Sequence, residues 1–180
     1  MILDPIPALV VIDLQKGIVA LPTIHPAGEI VTRAAALAAA FRRRHLPVAL
    51  VNVAGGAPGR VDQPMTGTLP PDWTELVAEL APAPTDHRVT KKTWGAFTGT
   101  DLAAWLHDHG ATQIVLAGIA TSIGIESTAR QAHELGFNVV LATNAMTDRS
   151  AEAHDNSTLR IFPRLGERAT TGEILAALGE

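Results

Sequence analysis

The sequence predicts an α/β fold, a three-layer α/β/α sandwich in which helices cover both faces of a doubly wound parallel sheet. Short apolar runs rich in branched residues alternate with amphipathic runs along the whole chain, and this alternation is typical of a parallel sheet with right-handed crossovers. The chain has 180 residues, of which 47% are hydrophobic and 18% charged, so it can bury a full core and is not disordered. Because no repeat, low-complexity tract or linker interrupts it, we expect one domain over residues 1–180.

The first half of the chain supplies three predicted strands. Residues 8–12 (ALVVI) are a short, continuous, branched apolar run, which indicates a buried strand. Apolar positions recur at helical spacing over residues 28–44, and the Gly- and Pro-rich residues 54–71 indicate a long loop of a kind that is often functional. The other predicted elements of this half are strands at 48–53 and 86–90 and a short helix that is capped by Asp72 and ends at Leu80.

Capping residues and helix-ending residues mark the elements of the second half. Thr98 or Thr100 can cap a helix that ends before Gly110. Thr170 and Glu173 have the spacing of a capping box, which predicts the start of a last helix. The other predicted elements are strands at 113–117, 138–142 and 167–170, a helix over residues 125–135 closed by Gly136, and a helix over residues 150–162 ended by Pro163.

Charge and composition exclude several classes of function. The formal net charge is -4, so the chain lacks the basic face that nucleic-acid binding needs. It has no cysteine, hence no disulfide and no thiol nucleophile, and its histidines lack the spacing of metal ligands, so we expect no bound metal. No apolar run reaches the about 18 residues of a membrane helix, and the N-terminus lacks the features of a signal peptide. We therefore expect a cytoplasmic protein that binds neither membrane nor nucleic acid.

Residues that follow strands are the main candidates for a functional site, because open α/β sheets bind ligands beyond the carboxyl ends of their strands. Asp13 ends the first predicted strand, where a carboxylate is costly unless it is paired or useful; the alternative is a cap for the next turn. Lys91 and Lys92 follow the third strand and either neutralise an anion such as Asp13 or lie solvated at the surface. Residues 118–124 lead from the fourth strand into a helix, and their backbone N–H groups either hold an anion or oxyanion or make an ordinary turn.

Two further residues carry weaker signals. Arg60, in the Gly- and Pro-rich loop, either presents its guanidinium to a substrate carboxylate or is a solvated loop arginine. Ser122 lies in the loop after the fourth strand, but the sequence places no histidine to activate its hydroxyl.

Three segments together resemble the isochorismatase-like hydrolase superfamily: VVIDLQKGI, VTKKTWGAFTGTDL and VLAGIATSIGIESTARQAHELGF. The similarity continues through MTDRS and IFPRLGE and so covers nearly the whole chain. The resemblance implies a Rossmann-like sheet of six parallel strands in the order 3-2-1-4-5-6, with a non-proline cis peptide bond at Ile119–Ala120. It also implies a catalytic aspartate at Asp13 and a catalytic lysine at Lys91, which lies at the family's spacing from Trp94 and Phe97.

The chain departs from most of that superfamily at one position. Most members are cysteine hydrolases of amides and related substrates, and their cysteine falls where this chain has Gly124. True isochorismatases also have glycine there, and the resemblance implies their chemistry: an aspartate protonates the carbon of a vinyl ether, water adds to the oxocarbenium ion, and pyruvate leaves. Asp13, Lys91 and Gly124 match that set of residues.

We therefore expect a hydrolase that acts on a small molecule without a covalent thioester, needs no cofactor, and uses Asp13 as general acid or base with Lys91. An isochorismate-like vinyl ether is the substrate type that these residues indicate. However, true isochorismatases typically carry an aromatic residue and a histidine where this chain has Ala120 and Ser122. Two alternatives stay open: a family member that has lost catalysis and binds a small molecule, and an amide hydrolase that uses a water molecule or Ser122.

The resemblance further implies a homo-oligomer, either a dimer or a tetramer. Position and resemblance together indicate these oxyanion- or substrate-binding residues: Gln15, Arg60, Trp94, Phe97, Ile119, Ala120 and Ser122.

Overall fold

The computed structural model describes residues 1–64 and 67–180 and shows a six-stranded, all-parallel sheet. The strand order is β3-β2-β1-β4-β5-β6, so the predicted fold class and strand order are confirmed. The order in which successive strands join the sheet reverses between β1 and β4. Open α/β sheets bind ligands at this point. The strands are β1 (Pro7–Ile12), β2 (Val48–Val53), β3 (His87–Lys91), β4 (Gln113–Ile119), β5 (Asn138–Thr147) and β6 (Glu167–Ala169).

Helices cover both faces of this sheet. Successive side chains of β1 point to opposite faces: Leu9 and Val11 join one apolar core, whereas Ala8, Val10 and Ile12 join the other. In the described part of the chain the α-helices are α1 (Lys16–Val19), α2 (Ala27–Arg43), α3 (Leu102–Asp108), α4 (Glu126–Glu134), α5 (Ala151–Asn156) and α6 (Thr171–Ala177). The first core lies under α2 and α6 and the second under α3 and α4, which gives the predicted three layers.

The prediction of a helix from Asp72 to Leu80 is wrong for most of its length. Only Ala78–Leu80 is helical, as a single 3-10 turn. Carbonyls of the preceding residues accept hydrogen bonds from the segment after β1: Lys16 N–H donates to the carbonyl of Glu75 at 2.8 Å, and Gly17 N–H to that of Trp73 at 3.1 Å. This pairing fixes Trp73 against the chain that follows β1.

Three other elements differ from the prediction in their ends. The helix expected over residues 125–135 is preceded by a π-helical turn, Thr121–Ile125, and the helix expected over 150–162 changes to a π-helical turn after Asn156. The N-cap residue of α3 is Asp101 and not Thr98 or Thr100, and no side chain makes a capping hydrogen bond. The capping box of Thr170 and Glu173 is present as predicted.

β5 is five residues longer than predicted, and its extension bears on the site. The pairing of β4 with β5 shifts register between Leu116 and Gly118, so that β5 continues to Thr147 instead of ending at residue 142. Gly118 permits this irregularity, since it has a φ of +131° and a Cβ there would lie 2.0 Å from the carbonyl oxygen of Ile12. The carboxyl ends of β1, β4 and β5 therefore meet closely.

Among residues 1–64 and 67–180, no helix is both long enough and apolar enough to cross a membrane.

Candidate active site

Asp13 and Lys91 form a buried ion pair at the carboxyl edge of the sheet. Lys91 Nζ lies 2.8 Å from Asp13 Oδ2 and also donates to the carbonyl of Thr93 at 3.1 Å. Asp13 is 5% exposed and Lys91 is 1% exposed. Of the two adjacent lysines, Lys92 is exposed to solvent, so the structure brings Lys91 and not Lys92 to the predicted aspartate.

The backbone at Asp13 has a conformation that is uncommon for a residue other than glycine. Its φ is +53°, in the left-handed region that aspartate tolerates better than most residues. The N–H of Asp13 donates to the carbonyl of Val51 at 2.9 Å, which ties this turn to β2. The conformation turns the carboxylate off the end of β1 and into the space between the strand ends.

The carboxylate of Asp13 is only half satisfied by hydrogen bonds. Among the described residues, Asp13 Oδ1 is the one buried side-chain oxygen or nitrogen without a hydrogen-bond partner. Burial raises the pKa of the Asp13 carboxyl from its ordinary 3.8 to about 6, although the charge and the hydrogen bond of Lys91 lower it. Asp13 is therefore a group that exchanges its proton close to neutral pH.

Gly124 has no side chain, so only its backbone lies beside this carboxylate. It lies in the π-helical turn Thr121–Ile125 that follows β4. A Cβ at position 124 would lie 2.9 Å from Ile12 Cγ2 and 3.3 Å from Asp13 Oδ2, so a side chain there would be in tight contact with the Asp13 carboxylate. The peptide bond between Ile119 and Ala120, just before this turn, is cis, as the resemblance implies.

A small cavity of about 240 Å³ opens over the ion pair. Asp13, Lys91 and Gly124 all contribute to its wall, and most of the remaining wall is apolar. A larger, more open groove of about 590 Å³ lies beside β6, but neither Asp13 nor Lys91 lines it. The other residues that line the smaller cavity, called the pocket below, are Ile18, Leu21, Thr23, Val53, Gly55, Trp73, Thr93, Trp94, Ile119, Ala120, Ile123 and Arg149.

Of the binding residues predicted from the sequence, Trp94, Ile119 and Ala120 line the pocket. Trp94 is 64% exposed and therefore lies at the rim. The prediction that Gln15 contacts substrate is not supported, because its side chain is fully buried behind the wall. There it bonds to the backbone of Val53 in both directions.

Arg60, Phe97 and Ser122 also lie outside the pocket wall. Arg60 is exposed in its loop, and Phe97 stacks on Phe137 with ring centroids 5.9 Å apart. The hydroxyl of Ser122 donates to Asp148 Oδ2 at 2.8 Å, and the N–H of Ser122 donates to the same atom at 2.7 Å. Ser122 thus fixes the loop after β4 and is not presented to a ligand.

The prediction missed Arg149, which lines the pocket together with Trp73. Arg149 follows the true end of β5, but the strand predicted from the sequence ended five residues too early. With the correct end, the rule that ligand sites follow strand ends would have selected Arg149. His154 is 8% exposed, and its Nδ1 lies 2.9 Å from Thr121 Oγ1.

Within the described residues, no three His, Asp or Glu side chains are grouped so that they could hold a metal ion.

Comparison with known proteins identifies the family of the chain. The family model described as the isochorismatase domain matches residues 7–173. The chain belongs to the isochorismatase family. It is 47% identical over 181 residues to the uncharacterized isochorismatase family protein YecD of Escherichia coli O157:H7, covering 95% of each chain. The structure of an isochorismatase family protein from Burkholderia thailandensis superposes with a TM-score of 0.95 at 44% identity, over 99% of this chain and 98% of that one.

A less similar relative of the chain is named for an activity. Streptothricin hydrolase of Streptomyces noursei is 36% identical over 140 residues, which is 77% of this chain and 48% of that protein.

Proposed function

We propose that this isochorismatase-family protein is a hydrolase of a small molecule that works without a covalent thioester, with Asp13 as general acid or base and Lys91 as its partner. The observation that carries the proposal is the half-satisfied carboxylate of Asp13 in the wall of a small pocket, bonded to Lys91 through one oxygen only. The chain contains no thiol that could form the thioester. The similarity to a named hydrolase supports the reaction class.

The electrostatics of the pair suit a proton donor. With a pKa of about 6, Asp13 is protonated in about one molecule in ten at pH 7, and in more as the pH falls. Lys91 favours the carboxylate, whereas a bound anion favours the carboxylic acid. An anionic substrate therefore increases the fraction of Asp13 that is ready to donate.

Hydrolysis of a vinyl ether is the reaction that this arrangement supports best. Asp13 donates its proton to the terminal vinyl carbon, and the electron pair of the ether oxygen stabilises the resulting oxocarbenium ion. Water adds to the cationic carbon and returns one proton to Asp13, and the hemiketal then separates into a ketone and an alcohol. Lys91 stabilises the carboxylate that exists between the two proton transfers, and Gly124 leaves space beside it.

The two alternatives receive less support. A serine-dependent amide hydrolase would need a free nucleophile, but the hydroxyl of Ser122 is engaged by Asp148 and does not line the pocket. A protein that only binds its ligand would gain nothing from the left-handed Asp13 with an unpartnered buried oxygen, because both features reduce stability. Their presence supports catalysis over binding.

The test is release of pyruvate from isochorismate by the purified protein. We expect release by the wild type and a loss of about 10³-fold or more in Asp13→Asn, with Asp108→Asn, an exposed aspartate of α3, as matched control. In D2O the methyl group of the pyruvate should carry one deuterium from the proton donor. No release by the wild type would contradict vinyl-ether hydrolysis, and full release by Asp13→Asn would contradict the role of Asp13.

A further inference from the structure

The turn that places Gly124 beside Asp13 is bonded to a carboxylate from the neighbouring strand. Asp148 directly follows β5, and its Oδ2 accepts the N–H of Ser122 at 2.7 Å and the hydroxyl of Ser122 at 2.8 Å. Ser122 belongs to the π-helical turn Thr121–Ile125, which contains Gly124. The end of β5 and the turn after β4 are therefore joined through one side-chain oxygen.

The other oxygen of Asp148 is filled as well. Asp148 Oδ1 accepts the N–H of Arg149 at 2.7 Å and that of Ser150 at 3.3 Å. Four donors thus surround a carboxylate that belongs to a residue only 3% exposed. Such a carboxylate is a rigid anchor, because breaking any one of its bonds leaves a buried polar group unsatisfied.

The start of α5 does not account for this bonding pattern. That helix is capped by Ser150, whose side chain accepts the N–H of Ala153 at 3.2 Å. The bonds of Asp148 Oδ1 shape the turn into α5, but those of Oδ2 reach back to Ser122, 26 residues earlier in the chain. A residue that only prepared the start of α5 would not need them.

A second part of the pocket wall is fixed by the same residue. The N–H of Ile24 donates to the backbone carbonyl of Asp148 at 2.9 Å, and Thr23, next to Ile24 in the sequence, lines the pocket. Ile123, next to Ser122, lines it as well. Asp148 therefore holds the segment after α1 through its backbone and the turn after β4 through its side chain.

The turn after β4 contributes to the burial of Asp13. A Cβ at position 124 would lie 3.3 Å from Asp13 Oδ2, so the backbone of Gly124 covers one side of the carboxylate. Burial is the largest cause that raises the pKa of Asp13 to about 6, and Lys91 is the charged group in contact with it. A displaced turn would admit water to the carboxylate, and a misplacement of about 1 Å in a catalytic site can cost about 10²-fold in rate.

Resting on the proposed hydrolase site, we propose that Asp148 is a positioning residue that holds the turn containing Gly124 against Asp13. It acts through Ser122, which it bonds at both the N–H and the hydroxyl. Asp148 does not line the pocket, so it does not contact the substrate. Its removal should change the surroundings of Asp13 and the rate of the chemical step.

NMR titration of the Asp13 carboxyl carbon tests this role without requiring turnover. The protein is labelled with ¹³C at the side-chain carboxyl of aspartate, and the resonance that is lost in Asp13→Asn is assigned to Asp13. The wild type should titrate with a midpoint of about 6. In Asp148→Ala the midpoint should fall to about 5, because water reaches a carboxylate that the turn no longer covers.

Two milder variants sharpen the test and remain informative if Asp148→Ala does not fold. Asp148→Asn keeps one acceptor oxygen, so its midpoint should lie between those of the wild type and Asp148→Ala. Ser122→Ala removes the hydroxyl bond and keeps that of the N–H, so it should shift the midpoint in the same direction by less.

The matched control is Asp86→Ala. It removes another buried carboxylate, one that accepts three hydrogen bonds but does not line the pocket. Thermal unfolding should show a loss of stability in both Asp86→Ala and Asp148→Ala, whereas the Asp13 midpoint should move only in Asp148→Ala. With isochorismate as substrate, kcat should fall by about 10²-fold in Asp148→Ala and stay near the wild-type value in Asp86→Ala.

Two results would overturn the role of Asp148: an unchanged Asp13 midpoint in the folded variants of Asp148 and Ser122, or an equal shift in Asp86→Ala. Both leave the proposed hydrolase untouched, because its test is the turnover that depends on Asp13. Conversely, a lowered midpoint in the Asp148 variants of a protein that releases no pyruvate would support the positioning of the turn and contradict only vinyl-ether hydrolysis.

Discussion

Within the described residues, two ion pairs have carboxylates that are almost inaccessible to solvent, and they lie at opposite ends of β3. Asp86 directly precedes that strand and pairs with Arg42, whereas Lys91 is its last residue and pairs with Asp13. Asp86 accepts two bonds from Arg42, at 2.9 and 2.8 Å, and a third at 2.7 Å from the N–H of Ala83. Asp13 accepts one bond, from Lys91, and its other oxygen has no partner.

The difference is what we expect between a structural pair and the reactive pair proposed above. A buried carboxylate whose bonds are all filled holds chain segments together. A carboxylate left half satisfied costs stability, and such groups are retained where chemistry requires them. The Arg42–Asp86 pair joins α2 to the start of β3, whereas the Asp13–Lys91 pair lies in the wall of the pocket.

Of the substitutions that compare the two pairs, removing the basic partner of the proposed reactive pair has the largest expected effect. Lys91→Met leaves Asp13 buried without a compensating charge, so the carboxylate formed after proton donation loses its stabilisation. We expect pyruvate release to fall by about 10²-fold or more. Lys92→Met, which changes the exposed neighbour, is the control; equal effects of the two substitutions would contradict a specific role for Lys91.

The structural pair should respond in stability instead. Asp86→Ala leaves Arg42 and the N–H of Ala83 without their acceptor, and we expect the free energy of unfolding to drop by about 3 kcal/mol. Urea denaturation measures this change. Turnover by the folded protein should stay near the wild-type rate when assayed at low temperature, and a loss of turnover comparable to that of Lys91→Met would remove the distinction between the two pairs.

A smaller effect is expected at Gly124. An alanine Cβ would contact Ile12 Cγ2 at 2.9 Å and Asp13 Oδ2 at 3.3 Å, so we expect Gly124→Ala to lower the free energy of unfolding by about 1–3 kcal/mol and to slow turnover. The control is Gly28→Ala in α2, where a Cβ meets nothing within 4 Å. If both substitutions leave stability and activity unchanged, the space at Gly124 does not matter.

The smallest effect is a pH dependence of stability. The pKa of Asp13 is higher in the folded protein, about 6, than in the unfolded chain, so the folded state binds the proton more tightly. The contribution of Asp13 to the free energy of unfolding therefore increases as the pH falls through about 6 and levels off below the ordinary carboxyl pKa near 4. Urea denaturation of the wild type and Asp13→Asn should give a difference that favours the wild type more at pH 5 than at pH 7.5; an equal difference at both pH values would contradict the raised pKa.

The sequence was most informative where a candidate site residue directly follows a strand. Asp13 was predicted because an unambiguous apolar run precedes it and parallel strands bring their carboxyl ends together. Lys91 follows a predicted strand with a weaker signal, and the family resemblance selected it over Lys92. Arg149 was missed because β5 continues beyond a register shift that Gly118 permits, and no periodicity in a single strand reveals the register of its neighbour. The helix predicted from Asp72 to Leu80 was wrong because the carbonyl of Trp73 accepts a hydrogen bond from Gly17, far away in sequence, and such tertiary bonds override the local helical signal.

Two of the predicted binding residues lie outside the pocket wall for a related reason. Gln15 and Ser122 both lie beside the pocket residues in sequence, yet their side chains bond to Val53 and Asp148 and turn away from the ligand side. Sequence position fixes which segment reaches the site, but the tertiary partner of each polar group decides which way its side chain points.

The most direct test of the account is the pH dependence of kcat/KM for pyruvate release from isochorismate between pH 4.5 and 8.5. If Asp13 acts as the proton donor with a pKa of about 6, kcat/KM should decrease above that pH by about tenfold per pH unit. The residual activity of Asp13→Asn should lack this transition. A wild-type profile that is flat or rises through pH 6 would contradict a protonated Asp13 as the catalytic acid.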